Sequence, residues 1–123
     1  MLTQRQLAGR RAEDLAAEYL RARGCEILVR NYRRRLGELD LVARDGGVLV
    51  IGEVRTRAQA RFGSAAESVD RRKQRRITRA AMQLLQQRAD LARLPVRFDV
   101  IVVGDLTAAE PRIEWIRHAF EVS

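Results

Sequence analysis

The first stretch of the chain places its apolar residues at helical rather than alternating spacing. Leu7, Ala8, Ala12, Leu15, Ala16 and Tyr19 share one stripe and predict an amphipathic helix. Thr3 and Gln6 have the spacing of a capping box, so the helix is expected to start at Thr3. Gly24 stands where a left-handed cap would end it. A strand is expected next, over Cys25 to Arg33. Two clearer strands follow, Leu36 to Arg44 and Val48 to Thr56, separated by Asp45-Gly46-Gly47. That separator is a hairpin signal, because these residues tolerate the positive φ angles of a tight turn. Ala58 to Ala66, with Gly63 and Ser64, reads as a loop. A second helix is predicted over Glu67 to Ala89, with Val69, Ile77, Ala80, Ala81, Leu84 and Leu85 on its apolar face. Pro95 opens a strand over Val96 to Val103, stopped by Gly104-Asp105, and a short last strand is expected over Arg112 to Ile116.

The order is helix, three strands, helix, two strands, which predicts an α/β sheet with helices packed on it. The middle strands are apolar on both sides near the turn. Leu39, Leu41 and Val50 are expected on one face, and Val42, Leu49 and Ile51 on the other. Strands of that kind sit centrally and are covered twice. The 123 residues hold no repeat, low-complexity tract or linker, so one domain over 1–123 is expected.

Composition narrows the chemistry. No apolar run approaches the roughly 18 residues of a membrane span. Met1 to Arg11 lacks the apolar stretch of a secretory signal, so a reducing cytoplasm is the expected compartment. Cys25 is the only cysteine and His118 the only histidine, and neither has a partner for disulfide, triad or zinc chemistry. The net charge of +8 and pI of about 11.2 favour polyanionic partners, nucleic acid first and anionic membrane second. Of the 24 basic residues only Lys73 is a lysine, a skew that fits a general drift to arginine as well as selection for phosphate contacts.

Carboxylates carry the strongest chemical signal. With Gly46-Gly47 as the turn, Asp45 pairs with Val48, and counting back sets Asp40 opposite Glu53 and Glu38 opposite Arg55. Like charges directly opposed on a sheet destabilise it. A shared proton, a neighbouring cation such as Arg55, or a divalent metal would each resolve the conflict. A solvated strand end would avoid it altogether.

The run Gly37-Glu38-Leu39-Asp40-Leu41-Val42-Ala43, followed by Glu53-Val54-Arg55-Thr56-Arg57, resembles the YraN-like family of uncharacterised bacterial proteins. Gly9 and Glu13, Asn31, Phe62-Gly63, Lys73 and Arg97-Phe98-Asp99-Val100 extend the match over nearly the whole chain. That family is similar to the PD-(D/E)XK, restriction-endonuclease-like nucleases, which include Holliday-junction resolvases. The resemblance implies a central mixed sheet of about five strands flanked by helices. It also implies an Mg²⁺- or Mn²⁺-dependent endonuclease or exonuclease, acting on nucleic acid with DNA first. Asp40 and Glu53 become the metal-binding acids and Glu13 a third, helical acid. The superfamily's lysine stands here as Arg55, which can steady charge on phosphate but cannot act as a base. The alternative is therefore a catalytically impaired nucleic-acid-binding module of the same fold. Lys73 is a second catalytic candidate, since it lies about 40° from Ile77 on the helical wheel and so shares the inward stripe. Arg71, Arg72, Arg75 and Arg79 face outward and, with Arg33, Arg34 and Arg35, form the candidate nucleic-acid surface. Tyr32 and Phe62 are candidates for base stacking or for packing, and Trp115 is expected in the core. Duplex, single-stranded or branched substrate, and monomer or homodimer, stay open.

Overall fold

The computed structural model describes residues 1–60 and 67–121. Phe62, Gly63 and Ser64 lie outside the described residues, as does most of the loop expected before the second helix. The chain runs α1 (Gln4–Ala22), β1 (Glu26–Arg34), β2 (Gly37–Asp45), β3 (Val48–Thr56), α2 (Arg71–Gln87), β4 (Val96–Gly104) and β5 (Arg112–Phe120). The five strands form one sheet in the order β1-β2-β3-β4-β5. Only β3 and β4 are parallel, with α2 in the crossover between them, so the sheet is mixed and β3 is its centre. This is the α/β architecture that the element order predicts.

Each helix covers one face. Ala12, Leu15, Ala16, Ala17 and Leu20 of α1 pack with Leu41, Ala43, Val50, Val54, Ile101 and Val103. Ile77, Ala80, Ala81 and Leu84 of α2 pack with Leu39, Val42, Leu49, Ile51, Val100 and Val102. Burying such side chains contributes about 1.5–3 kcal/mol each, which is the main force holding both layers to the sheet. The capping box at Thr3 forms in both directions, and Gly24 adopts φ +90° after α1. Leu7 differs from expectation: it is 50% exposed, because the first turns of α1 carry it clear of the sheet. The second helix begins at Arg71 rather than Glu67, since the Asp70 side chain accepts from the Lys73 N–H and caps it.

The hairpin ladder runs from Asp45↔Val48 to Leu41↔Gly52, in the register the Gly46-Gly47 turn dictates. Leu39 does not share a face with Leu41, as simple alternation requires; it packs on the α2 side. The neighbouring strand makes the same switch. Arg30 reaches Asp14 of α1 at 2.6 Å, whereas Tyr32 is buried on the α2 side and donates to Gln87 Oε1 at 2.9 Å. Asn31 and Asp40 lie between the pairs Arg30↔Leu41 and Tyr32↔Leu39, and Asn31 absorbs the change with φ +52°. Asparagine is among the few residues that enter this region readily.

The last strand extends to Phe120, beyond the expected Ile116. Asp99, fully buried, accepts from Trp115 Nε1 at 2.8 Å and from the His118 N–H at 2.9 Å. Arg97 neutralises it at 2.9 Å and also reaches Asp45 at 3.1 Å. With Phe120 stacked on Phe98 at 5.1 Å, these contacts hold the polar end of β5 against β4. Trp115 is thus half-buried with its N–H engaged, rather than wholly in the core.

Candidate active site

Backbone pairing between β2 and β3 ends at Leu41↔Gly52, just where the two acids begin. Asp40 uses its side chain to continue the contact: Oδ2 accepts the Val54 N–H at 3.0 Å. Glu53 follows the apolar stretch of β3 and is only 4% exposed. Its carboxyl lies close enough to Asp40 for that acid to raise its pKa. The two acids counted opposite each other along the hairpin therefore do meet, through side chains rather than through a ladder pair.

Lys73 joins them from the first turn of α2, its Nζ 2.7 Å from Glu53 Oε1. The lone lysine thus points inward, as its place on the helical wheel implies. The ammonium balances charge but is poorly aligned with the carboxylate, so buried Oε1 has no well-directed hydrogen bond. Burial first, then the neighbouring Asp40, push the Glu53 pKa from 4.5 up to about 8 against the opposing pull of Lys73. Surrounded by protein groups alone, Glu53 is held toward its protonated form at neutral pH, as burial and a neighbouring acid require.

Glu13 enters the same pocket from α1. Its pKa is also raised, by desolvation and then by Asp40, while a hydrogen bond from Asn31 and the charges of Arg30 and Arg33 oppose the rise. Among the described residues, no three acidic, histidine or cysteine side chains converge closely enough to form a metal cage. Glu13 is close enough to feel Asp40 but does not complete such a cage. The donor set at the centre is two carboxylates. That set fits Mg²⁺, which keeps several of its own waters and takes one or two carboxylates from the protein. The misdirected Oε1 and the raised pKa of Glu53 both mark a deficit of positive charge that a cation would fill.

Two expected contacts differ. Glu38 pairs with Arg33 at 2.5 Å instead of facing Arg55, because the ladder that would oppose them has already ended. Arg55 donates to Ser68 Oγ and to the Ser68 carbonyl, both at 3.2 Å. Arg33, Glu38 and Arg55 all line the acid pocket, which measures about 190 Å³. The arginine clusters are exposed and adjacent. Arg33 and Arg34 end β1, Arg35 lies in the β1–β2 turn, and Gly37 after that turn lies against the backbone of Arg76 in α2, beside Arg71, Arg72, Arg75 and Arg79. Tyr32 is buried, its ring covered by Arg34 at 4.0 Å, so it packs rather than offering a stacking face. Cys25 is buried, and the His118 ring meets Glu121 at the surface, 2.8 Å away. Asn31 is among the positions that carry the resemblance but has no role implied there; the structure sets it beside Glu13.

Among the described residues, no helix is long and apolar enough to cross a membrane. The family model for "Uncharacterised protein family UPF0102" matches residues 12–103. A UPF0102 protein of Frankia casuarinae is 51% identical over 112 residues, covering 91% of this chain and 94% of its own. One from Methylococcus capsulatus is 48% identical over 118 residues, covering 95% and 93%. One from Pseudomonas putida is 44% identical over 114 residues, covering 93% and 92%.

Proposed function

The chain belongs to the uncharacterised protein family UPF0102, the YraN-like family, and from that premise we propose that it hydrolyses phosphodiester bonds in nucleic acid with Mg²⁺ or Mn²⁺ as cofactor. One observation carries the reading: a buried glutamate beside a second acid that raises its pKa, with Lys73 as its close counter-charge among the described residues. A fold does not retain so unfavourable a pair for stability, since burying a charge without full compensation is costly. Perturbed acids in a pocket are where function concentrates.

Asp40 and Glu53 would hold the ion, and Glu13 would bias the field from α1. The bound ion supplies an acidified water and neutralises charge on the cleaved phosphate. The Val54 N–H keeps Asp40 aimed at the pocket. Lys73 takes the part that the strand lysine plays in the similar nucleases: its ammonium lies at the acid pair, while Arg55 holds position against Ser68 and adds positive charge at the rim. The exposed arginines of β1 and α2 would follow the phosphate backbone, which makes affinity fall steeply with salt.

The test is cleavage of duplex, single-stranded and branched DNA with Mg²⁺, Mn²⁺ or EDTA, using wild type and an Asp40→Asn/Glu53→Gln variant. Metal-dependent cutting by wild type alone is expected. Cutting that survives in the double variant would point to a contaminant and remove the enzyme reading. The second reading is a binding module without catalysis, favoured by the arginine at 55 and its engagement with Ser68. It expects salt-sensitive binding and no cleavage under any metal.

A further inference from the structure

Gly9 has no packing reason to be a glycine. It lies inside α1, where glycine is about 1 kcal/mol less favourable than alanine. A Cβ built on it meets nothing within 4 Å among the described residues. What it borders is open space on two sides. The acid pocket is one, and a cleft of about 420 Å³ between the first turns of α1 and β1 is the other. Gly9, Glu13 and Arg33 line both, so the cleft opens onto the acids across the bare helix backbone at Gly9.

The cleft walls are chemically mixed. Arg10 and Arg33, the latter paired with Glu38, bring positive charge beside the acid Glu13, and Gln6 and Asn31, the latter turned to Glu13, bring side-chain amides. Gln6 Oε1 is taken by the Thr3 N–H at 2.9 Å, which leaves its amide nitrogen as a donor. Leu2, 36% exposed, supplies an apolar wall. The volume falls within the roughly 300–1,000 Å³ range of sites for small organic ligands. Charge for phosphate, amides for a heteroaromatic edge and an apolar surface for a ring face together describe a nucleotide. A continuous duplex keeps its bases stacked inside and would present only backbone here.

We propose that this cleft is the subsite for an unpaired nucleotide next to the phosphodiester at Asp40 and Glu53, so that the substrate class is single-stranded or locally unpaired nucleic acid. The inference rests on the proposed phosphodiesterase site, but binding separates it from catalysis.

Fluorescence anisotropy in EDTA with a labelled oligothymidine, an oligouridine of equal length and a blunt duplex reads it directly. Wild type is expected to bind one or both single strands about tenfold or more tightly than duplex, the scale of one well-held base. Gly9→Leu, which fills the opening, should lose that preference while unfolding at the same or higher urea concentration. Gly47→Ala, at the β2–β3 turn where a Cβ also meets nothing, should keep it. Equal or tighter duplex binding by wild type overturns the subsite. So does undiminished single-strand affinity in Gly9→Leu. If the single-strand preference and its loss in Gly9→Leu are seen but Mg²⁺ and Mn²⁺ bring no cleavage, the hydrolytic reading fails and the subsite stands. If Gly9→Leu cuts single strands as wild type does, the subsite fails and the hydrolytic reading stands.

Discussion

Replacing Glu53 by glutamine should make the protein more stable and, under the proposed reading, inactive. Glu53 titrates near pH 4.5 in an unfolded chain and near 8 in the fold, chiefly because burial penalises its charge. An acid with a raised folded pKa loses stability as pH climbs from its unfolded value toward its folded one, because the unfolded chain releases the proton first. At about 1.36 kcal/mol per unit, the wild-type fold gives up ~1 kcal/mol by pH 5 and ~3 kcal/mol by pH 7. Glutamine does not titrate, keeps the shape of the protonated acid and can still donate to Asp40. The loss of Lys73's partner matters less, because that side chain is 34% exposed and reaches water. Glu53→Gln is therefore expected to match wild type near pH 4 and to exceed it by ~3 kcal/mol at pH 7, roughly 10 °C in Tm for a domain of this size. Urea unfolding of both proteins at pH 4, 5 and 7 in EDTA measures the difference. Adding Mg²⁺ should then stabilise wild type alone, since only a ligand that binds the native state shifts its midpoint. A variant less stable than wild type at pH 7 in EDTA would refute the reasoning. Glu53 and Lys73 would then be a structural ion pair, whose breakage costs about 3–5 kcal/mol.

Gly37→Ala should destabilise the fold by roughly 3 kcal/mol or more, since the new Cβ would lie 1.9 Å from the Arg76 carbonyl oxygen and only backbone movement relieves it; urea unfolding checks this. Lys73→Ala should abolish cleavage while leaving the far-UV spectrum native, and full activity in that variant would remove Lys73 from the site. Asp99→Asn should cost about 2 kcal/mol or more by weakening three charge-assisted contacts. Its Trp115 fluorescence should shift toward that of the unfolded chain before the global transition, because the indole N–H loses its acceptor.

The sequence foretells the fold best where a short-range signal decides the geometry. The Asp45-Gly46-Gly47 turn dictates the hairpin register, and the register alone brings Asp40 toward Glu53. Lys73 is legible too, because a single residue type and a helical period agree on one direction. The face of Leu39 is not legible, since the reversal at Asn31 and Asp40 breaks the two-residue period that pattern reading assumes. The same break explains why Glu38 finds Arg33 instead of Arg55. The far end of β5 is hidden for another reason. Arg117 and His118 look like coil; His118 takes φ +53°, and its N–H is held by the buried carboxylate of Asp99 on the adjacent strand, which keeps the chain paired as far as Phe120. Where Arg55 goes depends on Ser68, which lies ahead of the Asp70 cap and not in the helix expected from Glu67.

The close approach at Gly37 acts as a mechanical stop. Main chain rests on main chain there, three residues along α2 from Lys73, with no compressible side chain between. A helix that slid by one residue would shift the ammonium about 1.5 Å along the axis and turn it about 100° away. Side-chain packing alone tolerates small slips of that kind; a seated backbone does not. The hairpin that carries the acids therefore also gauges the height of the helix that brings their counter-charge, and the three groups hold their spacing as one rigid unit.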